Sequence, residues 1–342
     1  MKSSIIGLYE KITRWAMYEY RIFGLKVSSE LKIEEALSDK IGVPPIENTL
    51  KENTLKENNT IENIPEKNTP DVKITYCYEE EDVLLKKAQQ LTYNLLLFNF
   101  YIKNIGIYHV KEGKEISIEL IKDANIQDIT CYLLGTAFGI LLIQREVVAI
   151  HGSCISINNF GIIISGDSGT GKSTIATKLF QRGFDFIADD VCALTIQSED
   201  IMVQLAYPQQ KLCKDAAVNQ GYPLNSLIYL DEERDKYAIR LHNTNRFQLE
   251  TRLGFMVVLN RSTDVSEVSV RPLSSYEKLN NFLHNIFRYE LLQTLGINPS
   301  FMKNIIDIVN RIPIYNLVRP EGIATEEEVT DYIMQIIEKS RY

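Results

Sequence analysis

The residues in this chain best suited to chemistry stand eight in a row: Gly166-Asp167-Ser168-Gly169-Thr170-Gly171-Lys172-Ser173. They match G-x-x-x-x-G-K-[ST] at every defined position, the phosphate-gripping P-loop or Walker A pattern. Its glycines let successive backbone N–H groups wrap an anion, and a helix starting there adds the positive end of its dipole. Lys172 is expected to reach the β- and γ-phosphates of ATP, and Ser173 to hold Mg²⁺ through its hydroxyl. The expected nucleotide-binding set is Gly166, Asp167, Ser168, Gly169, Thr170, Gly171, Lys172, Ser173 and Thr174.

Two neighbouring carboxylates follow at Asp189-Asp190. At a phosphate site such a pair has two natural tasks, holding Mg²⁺ and taking the proton of an attacking hydroxyl. His151 lies in the apolar stretch just before the strand that enters the loop, which makes it a third candidate. His109, His242 and His284 have no such context and read as structural or surface residues. A phosphoryl transition state needs positive charge beyond one lysine. Lys211, after Tyr207-Pro208-Gln209-Gln210, and Lys236 and Arg240, either side of Tyr237-Ala238-Ile239, are the candidates, with solvated surface positions as the alternative for each.

These residues need a frame. An apolar strand, Phe160–Ser165, leads into the loop; a helix with Ile175, Leu179 and Phe180 on one face leads out, with Gly183 placed to stop it. Val147–Ile157 is a second strand, split from the first by an Asn158-Asn159 turn. Phe184–Ala188 is expected to be a strand lying next to the loop's own strand, so that Asp189-Asp190 open onto the same crevice. Phe255–Leu259 is a continuous apolar run, the pattern of a strand covered on both faces. Near the C-terminus Thr325 and Glu328 predict a capping box, followed by the stripe Val329, Tyr332, Ile333, Ile336, Ile337.

Upstream, Tyr18–Leu31 reads as strand and turn, and Asp71–Tyr78, Leu95–Phe100, Ile105–Val110 and Ile116–Leu120 as strands, with a turn at Glu112-Gly113-Lys114. A helix is expected at about Gln127–Ile143. The fold class is therefore α/β in two parts, a smaller N-terminal sheet-rich domain over residues 1–125 and a P-loop kinase-like domain over residues 126–342. Residues 46–70 interrupt the first with a doubled Asn-Thr-Leu-Lys-Glu and no aromatic side chain. Such a stretch buries too little apolar surface to offset its ordering entropy, and is expected to be a disordered insertion.

Bulk properties narrow the partners. The 342 residues carry 37 basic and 45 acidic side chains, a net charge of −8 with no basic stripe, which argues against nucleic acid. Charges break up the N-terminal stretch, and Cys131–Ile143 is too short to span a bilayer, so no membrane association is expected. Five cysteines without C-x-x-C spacing argue against a disulfide framework or zinc site and fit a reducing, cytoplasmic setting.

Over Ala149–Leu194 the chain resembles the HPr kinase/phosphorylase family, whose P-loop core is similar to that of the ATP-dependent phosphoenolpyruvate carboxykinases. The shared features, in order, are His151-Gly152, the P-loop, Arg182-Gly183 and Ala188-Asp189-Asp190. The resemblance implies Asp189 as general base, Asp190 as a metal-side carboxylate and His151 beside the base. The family's Leu-Glu-x-Arg-Gly-Leu-Gly stretch has no counterpart here, which leaves open whether the phosphorylase reaction and HPr as acceptor carry over. Tyr207-Pro208 with Lys211-Leu212, Val270–Ser274, Ile314–Leu317 and Phe23-Gly24-Leu25 instead resemble stand-alone HPr-kinase-like proteins, among them kinases of lasso-peptide precursors.

The expected function is an ATP- and Mg²⁺-dependent serine kinase acting on a peptide or protein, a ribosomal-peptide precursor being one such acceptor. The alternatives are a nucleotide-dependent binding module or switch without transfer, and a small-molecule kinase. The sequence leaves the acceptor, any effector and the oligomeric state open, a homo-oligomer included.

Overall fold

A computed structural model describes residues 17–38, 69–231, 236–241 and 246–340 of the chain. The expected insertion lies outside these residues apart from its last two, and so does His242.

The first layer is a seven-stranded sheet. Its strands are β1 (Tyr18–Ile22), β2 (Leu25–Ser29), β3 (Leu37–Ser38), β4 (Val72–Tyr78), β5 (Leu97–Ile102), β6 (Gly106–Lys111) and β7 (Glu115–Leu120), in the order β3-β1-β2-β4-β7-β6-β5. Helix α1 (Glu81–Ala88) links β4 to β5. Period-two alternation sends Ile116, Ile118 and Leu120 of β7 inward, as expected of strands with one covered face.

Helix α2 (Ile126–Gln144) lies against this sheet. It is apolar almost all round because it is covered on several sides, a pattern reserved for buried helices. It starts where the Asn125 side chain accepts a bond from Gln127 N–H, and its middle, Leu133–Ala137, widens into a π turn that sequence periodicity does not foretell. At 19 residues it is longer than the apolar stretch read from sequence. It is long and apolar enough to cross a membrane by length and composition, yet 67% of that stretch is buried inside the fold.

The second layer has eight strands: β8 (Val148–Ile157), β9 (Phe160–Ser165), β10 (Asp185–Ala188), β11 (Val191–Gln197), β12 (Asp200–Gln204), β16 (Glu250–Ser262), β17 (Ser269–Pro272) and β18 (Ile314–Pro320). A separate three-stranded sheet holds β13 (Gln209–Cys213), β14 (Ile228–Asp231) and β15 (Lys236–Arg240). Pairings run β9 to β8, β8 to β11, β11 to β12, β12 to β16 and β16 back to β9, so five strands close a ring. Along β9 and β16 successive apolar residues serve opposite faces. Ile163 and Met256 join the core under α2, while Ile162, Ile164, Phe255 and Val257 join a second core under α3 (Lys172–Gln181).

The remaining helices are α4 (Lys214–Asn219), α5 (Ser275–His284), α6 (Tyr289–Leu295), α7 (Pro299–Arg311) and α8 (Glu326–Ser340). The stripe Val329, Ile333, Ile336 and Ile337 of α8 closes the second core. Two expectations need correction. The strand before Asp189, β10, pairs with β8 rather than with β9; β9 is flanked by β8 and β16. The Thr325 hydroxyl is buried without a hydrogen-bond partner among the described residues, so it makes no capping box; the first-turn Glu326 instead takes Arg319 at 2.7 Å.

Candidate functional site

The P-loop leaves the end of β9 and turns into α3. Gly166 has φ +131° and lies so close to β16 that a Cβ there would fall 2.2 Å from the Leu259 carbonyl oxygen. Gly171, with φ +106°, is the left-handed N-cap of α3. Both positions favour glycine, one by contact and the other by conformation. Lys172 is folded over its own loop, its Nζ donating to Gly166 O at 2.8 Å and Asp167 O at 2.9 Å. Ser173 Oγ donates to Asp189 Oδ1 at 3.1 Å.

The paired aspartates stand where β10 turns into β11, and the turn sets Asp190 at φ +78°. Although β8 separates β10 from β9, both aspartates reach the crevice. Their environments differ. Asp189 is only 3% exposed and accepts from Ser153 Oγ at 2.5 Å, Ser173 Oγ at 3.1 Å and Lys211 N–H at 2.8 Å. Burial nevertheless holds its pKa above the ordinary carboxyl value, the hydrogen bonds from Ser153 and Lys211 offsetting only part of the loss of solvent. Asp190 is more open. Its Oδ2 lies 3.1 Å from Lys211 Nζ, its Oδ1 3.5 Å from His151 Nδ1, and its backbone carbonyl 3.1 Å from that same nitrogen.

Lys211 therefore belongs to the cluster. Burial disfavours its ammonium, but Asp190, with Tyr207 and Cys131, outweighs this and the Lys211 pKa stands well above its usual value. His151 is carried by β8 opposite Val191, the residue after the aspartates, which is why a residue distant in sequence meets them. A cavity of about 310 Å³ is lined by His151, P-loop residues, Thr174, Asp189, Asp190, Lys211 and Arg261.

Arg240 and His109 lie away from this cavity. Arg240 points to the first sheet's side of the molecule, pairing with Glu34 at 3.1 Å and approaching Glu35 at 3.8 Å. Lys236 begins β15, in register with Cys213. His284 stands over the loop's rim, its Nε2 3.2 Å from Asp167 Oδ1, and His109 bonds Asn99 and Glu119 in the first sheet.

Three residues near the loop carried no readable signal. Arg261, at the end of β16, lines the cavity. Arg319, at the end of β18, is 2% exposed; its Nη2 holds Glu326, while Nε and Nη1 have no hydrogen-bond partner among the described residues. Nη1 lies 3.1 Å from where a Cβ on Gly171 would be. Asn285 accepts from the Gly166 N–H at 2.9 Å. As a donor set for a divalent cation, the Ser173 hydroxyl and the Asp189 carboxylate at a phosphate cradle suit Mg²⁺, which takes oxygen ligands and leans on substrate phosphates and water for the rest.

Comparison with known proteins places this site in context. Residues 144–213, from the end of α2 through the P-loop and paired aspartates to β13, match the model of the HPr serine kinase C-terminal domain. The chain is 30% identical over 112 residues to a protein of Oceanobacillus iheyensis with the provisional name HPr kinase/phosphorylase 2; the match takes in 32% of this chain and 37% of that protein. The chain thus spans little more than a third of the length of that relative. The Hpr(Ser) kinase/phosphatase structure from Coxiella burnetii aligns with 57% of this chain and 99% of its own, at 13% identity and a TM-score of 0.32.

Proposed function

We propose that this chain, HPr-kinase-like across its P-loop core, is an ATP-dependent kinase that moves the γ-phosphate to a serine hydroxyl of a peptide or protein. One observation carries the reading: P-loop residues, both aspartates, His151 and two further cations line a single cavity. A nucleotide-binding switch needs the loop and a metal ligand. It does not need a second carboxylate held between a histidine and a lysine.

In this reading the loop's N–H groups and the N-terminus of α3 grip the phosphates, and Lys172 exchanges the Gly166 and Asp167 carbonyls for phosphate oxygens. Mg²⁺, when bound, neutralises charge on the β- and γ-phosphates. Exposure and partners favour an assignment of the two aspartates that reverses the family-based expectation. Asp189 is buried against the Ser173 hydroxyl, so it belongs to the metal side. Asp190 faces the opening beside His151 and Lys211, so it orients the acceptor hydroxyl. The acceptor oxygen bonds to phosphorus, the bond from phosphorus to the ADP oxygen breaks, and the hydroxyl proton passes to the Asp190 carboxylate. Lys211 and Arg261 supply positive charge beside the transferring group.

The relative's name puts HPr before kinase, and HPr is a protein, which supports a protein acceptor. A ribosomal-peptide precursor is one candidate of that class. The test is mass spectrometry of a panel of serine-containing peptides and proteins, HPr included, after incubation with ATP and Mg²⁺. One added phosphate on a serine supports the kinase; tight ATP binding with no transfer to any peptide, protein or metabolite favours the switch.

A further inference from the structure

Asn285 caps the C-terminus of α5, 119 residues away from the loop residue it touches, and is only 4% exposed. Both ends of its side chain are engaged. Oδ1 lies 2.9 Å from the Gly166 N–H and 2.7 Å from Ser165 Oγ, and Nδ2 donates to Asn281 O at 2.7 Å. Its backbone carbonyl accepts from the His151 N–H at 2.8 Å. The Ser165 hydroxyl, shared between Asn285 Oδ1 and His151 O at 2.6 Å, completes a small closed network.

The location explains the need. β9 pairs with β8 from Gly152 onward and leaves it at Ser165 to become the P-loop. The part of β8 before Gly152 would lose its neighbour there. Residues 285–287 take that place: Ile286 bridges Ile150, and the Phe287 N–H donates to Ala149 O at 2.8 Å. Asn285 thus stands at the fork, with one hand on the loop's first residue and the other on His151.

We propose that Asn285 is a positioning residue for the transfer reaction. It fixes the entrance of the P-loop relative to the His151–Asp190 side of the cavity. This rests on the reading of the loop as a nucleotide site. Burial makes the role demanding: without Oδ1 the buried Gly166 N–H loses its acceptor, and the loop must shift to find another. A shift of about 1 Å between nucleotide and acceptor can lower a rate by ~10²-fold.

Two variants of the full chain separate the possibilities. Asn285→Leu keeps the volume and removes the acceptor. Asn285→Asp keeps an acceptor at Oδ1 and gives up the donation to Asn281. Hydrogen exchange by mass spectrometry, ATP calorimetry and steady-state transfer are measured on both. We expect Asn285→Leu to remain folded, to exchange the Gly166 amide at least ~10-fold faster, and to lose about 10- to 100-fold in kcat with a smaller change in KM for ATP. Asn285→Asp should restore Gly166 protection and most of kcat. Unchanged exchange and kcat in a folded Asn285→Leu protein overturns the role. So does an equal loss in both variants, because it would trace the effect to the Asn281 contact. Parent protein that binds no ATP overturns the nucleotide reading itself, and that result is seen before any variant is compared.

Discussion

Lys172→Met removes the one ammonium group in the P-loop and keeps its apolar stem. In the free protein that ammonium is buried and makes two hydrogen bonds, 2.8 Å to Gly166 O and 2.9 Å to Asp167 O. Hydrogen bonds to charged groups are worth about 1.5–3 kcal/mol each, but releasing the ammonium from a dry site returns part of that. The expected net loss of stability is therefore about 1–2 kcal/mol, a fall of a few degrees in Tm for a chain of this size. Affinity follows a similar comparison. With ATP bound, the same ammonium meets phosphate oxygens instead of carbonyls, and only the difference counts. Stronger ion-to-ion contacts should be worth ~1.4–2.8 kcal/mol beyond the carbonyl bonds, so ATP affinity should fall by about 10- to 100-fold. Calorimetry with ATP and Mg²⁺, with thermal melting of both proteins, reads both effects. A folded variant with the parent's ATP affinity refutes the phosphate-binding role. A variant that melts higher than the parent refutes a stabilising role for the two Lys172 hydrogen bonds.

Three other outcomes follow from the same geometry. Arg319→Leu should lower stability by about 2 kcal/mol, because Glu326 loses its partly buried partner, and should also weaken ATP binding; melting and calorimetry check it, and an unchanged ATP affinity separates Arg319 from the site. Burial raises the Asp189 pKa, so the folded chain holds that proton more tightly than the unfolded chain does, and the ionised form weakens the fold as pH rises from the ordinary carboxyl value past the raised one. Asp189→Asn should then melt higher than the parent at about pH 7, with the gap closing as pH falls through that window; a constant gap across pH contradicts this. Arg240→Ala should leave transfer within about twofold, since its partners are Glu34 and Glu35, and should change stability by no more than ~1 kcal/mol; a tenfold loss of rate returns Arg240 to the site.

The P-loop was legible because its requirements are local: strand, glycines at positive φ and a helix start all lie within twenty residues. His151 and the aspartates were legible through nearness to that loop in sequence, although their meeting depends on β8 lying beside β11. The neighbour of β10 was not, because β10 joins the five-strand ring from outside, and which ring strand it meets is decided by long-range pairing rather than by any residue of β10. Arg240 misled because its charge and spacing say nothing about which face of β15 meets the first sheet. Thr325 had the right type and spacing for a cap, but its local bond lost to the tie between Glu326 and buried Arg319. Arg319 and Asn285 left no trace in sequence. Each is a common residue type at the end of an ordinary element, and only tertiary packing brings it under the loop.

The most direct measurement is single-turnover transfer of labelled γ-phosphate from ATP to a serine acceptor, titrated with Mg²⁺, in the parent, Asp189→Asn and Asp190→Asn proteins. The account predicts label on the acceptor serine in the parent. It predicts a fall of about 10²–10⁴-fold for Asp190→Asn at an unchanged Mg²⁺ midpoint, and a raised Mg²⁺ midpoint for Asp189→Asn. Label that reaches no acceptor, or both variants transferring at the parent rate with the parent's Mg²⁺ dependence, contradicts it.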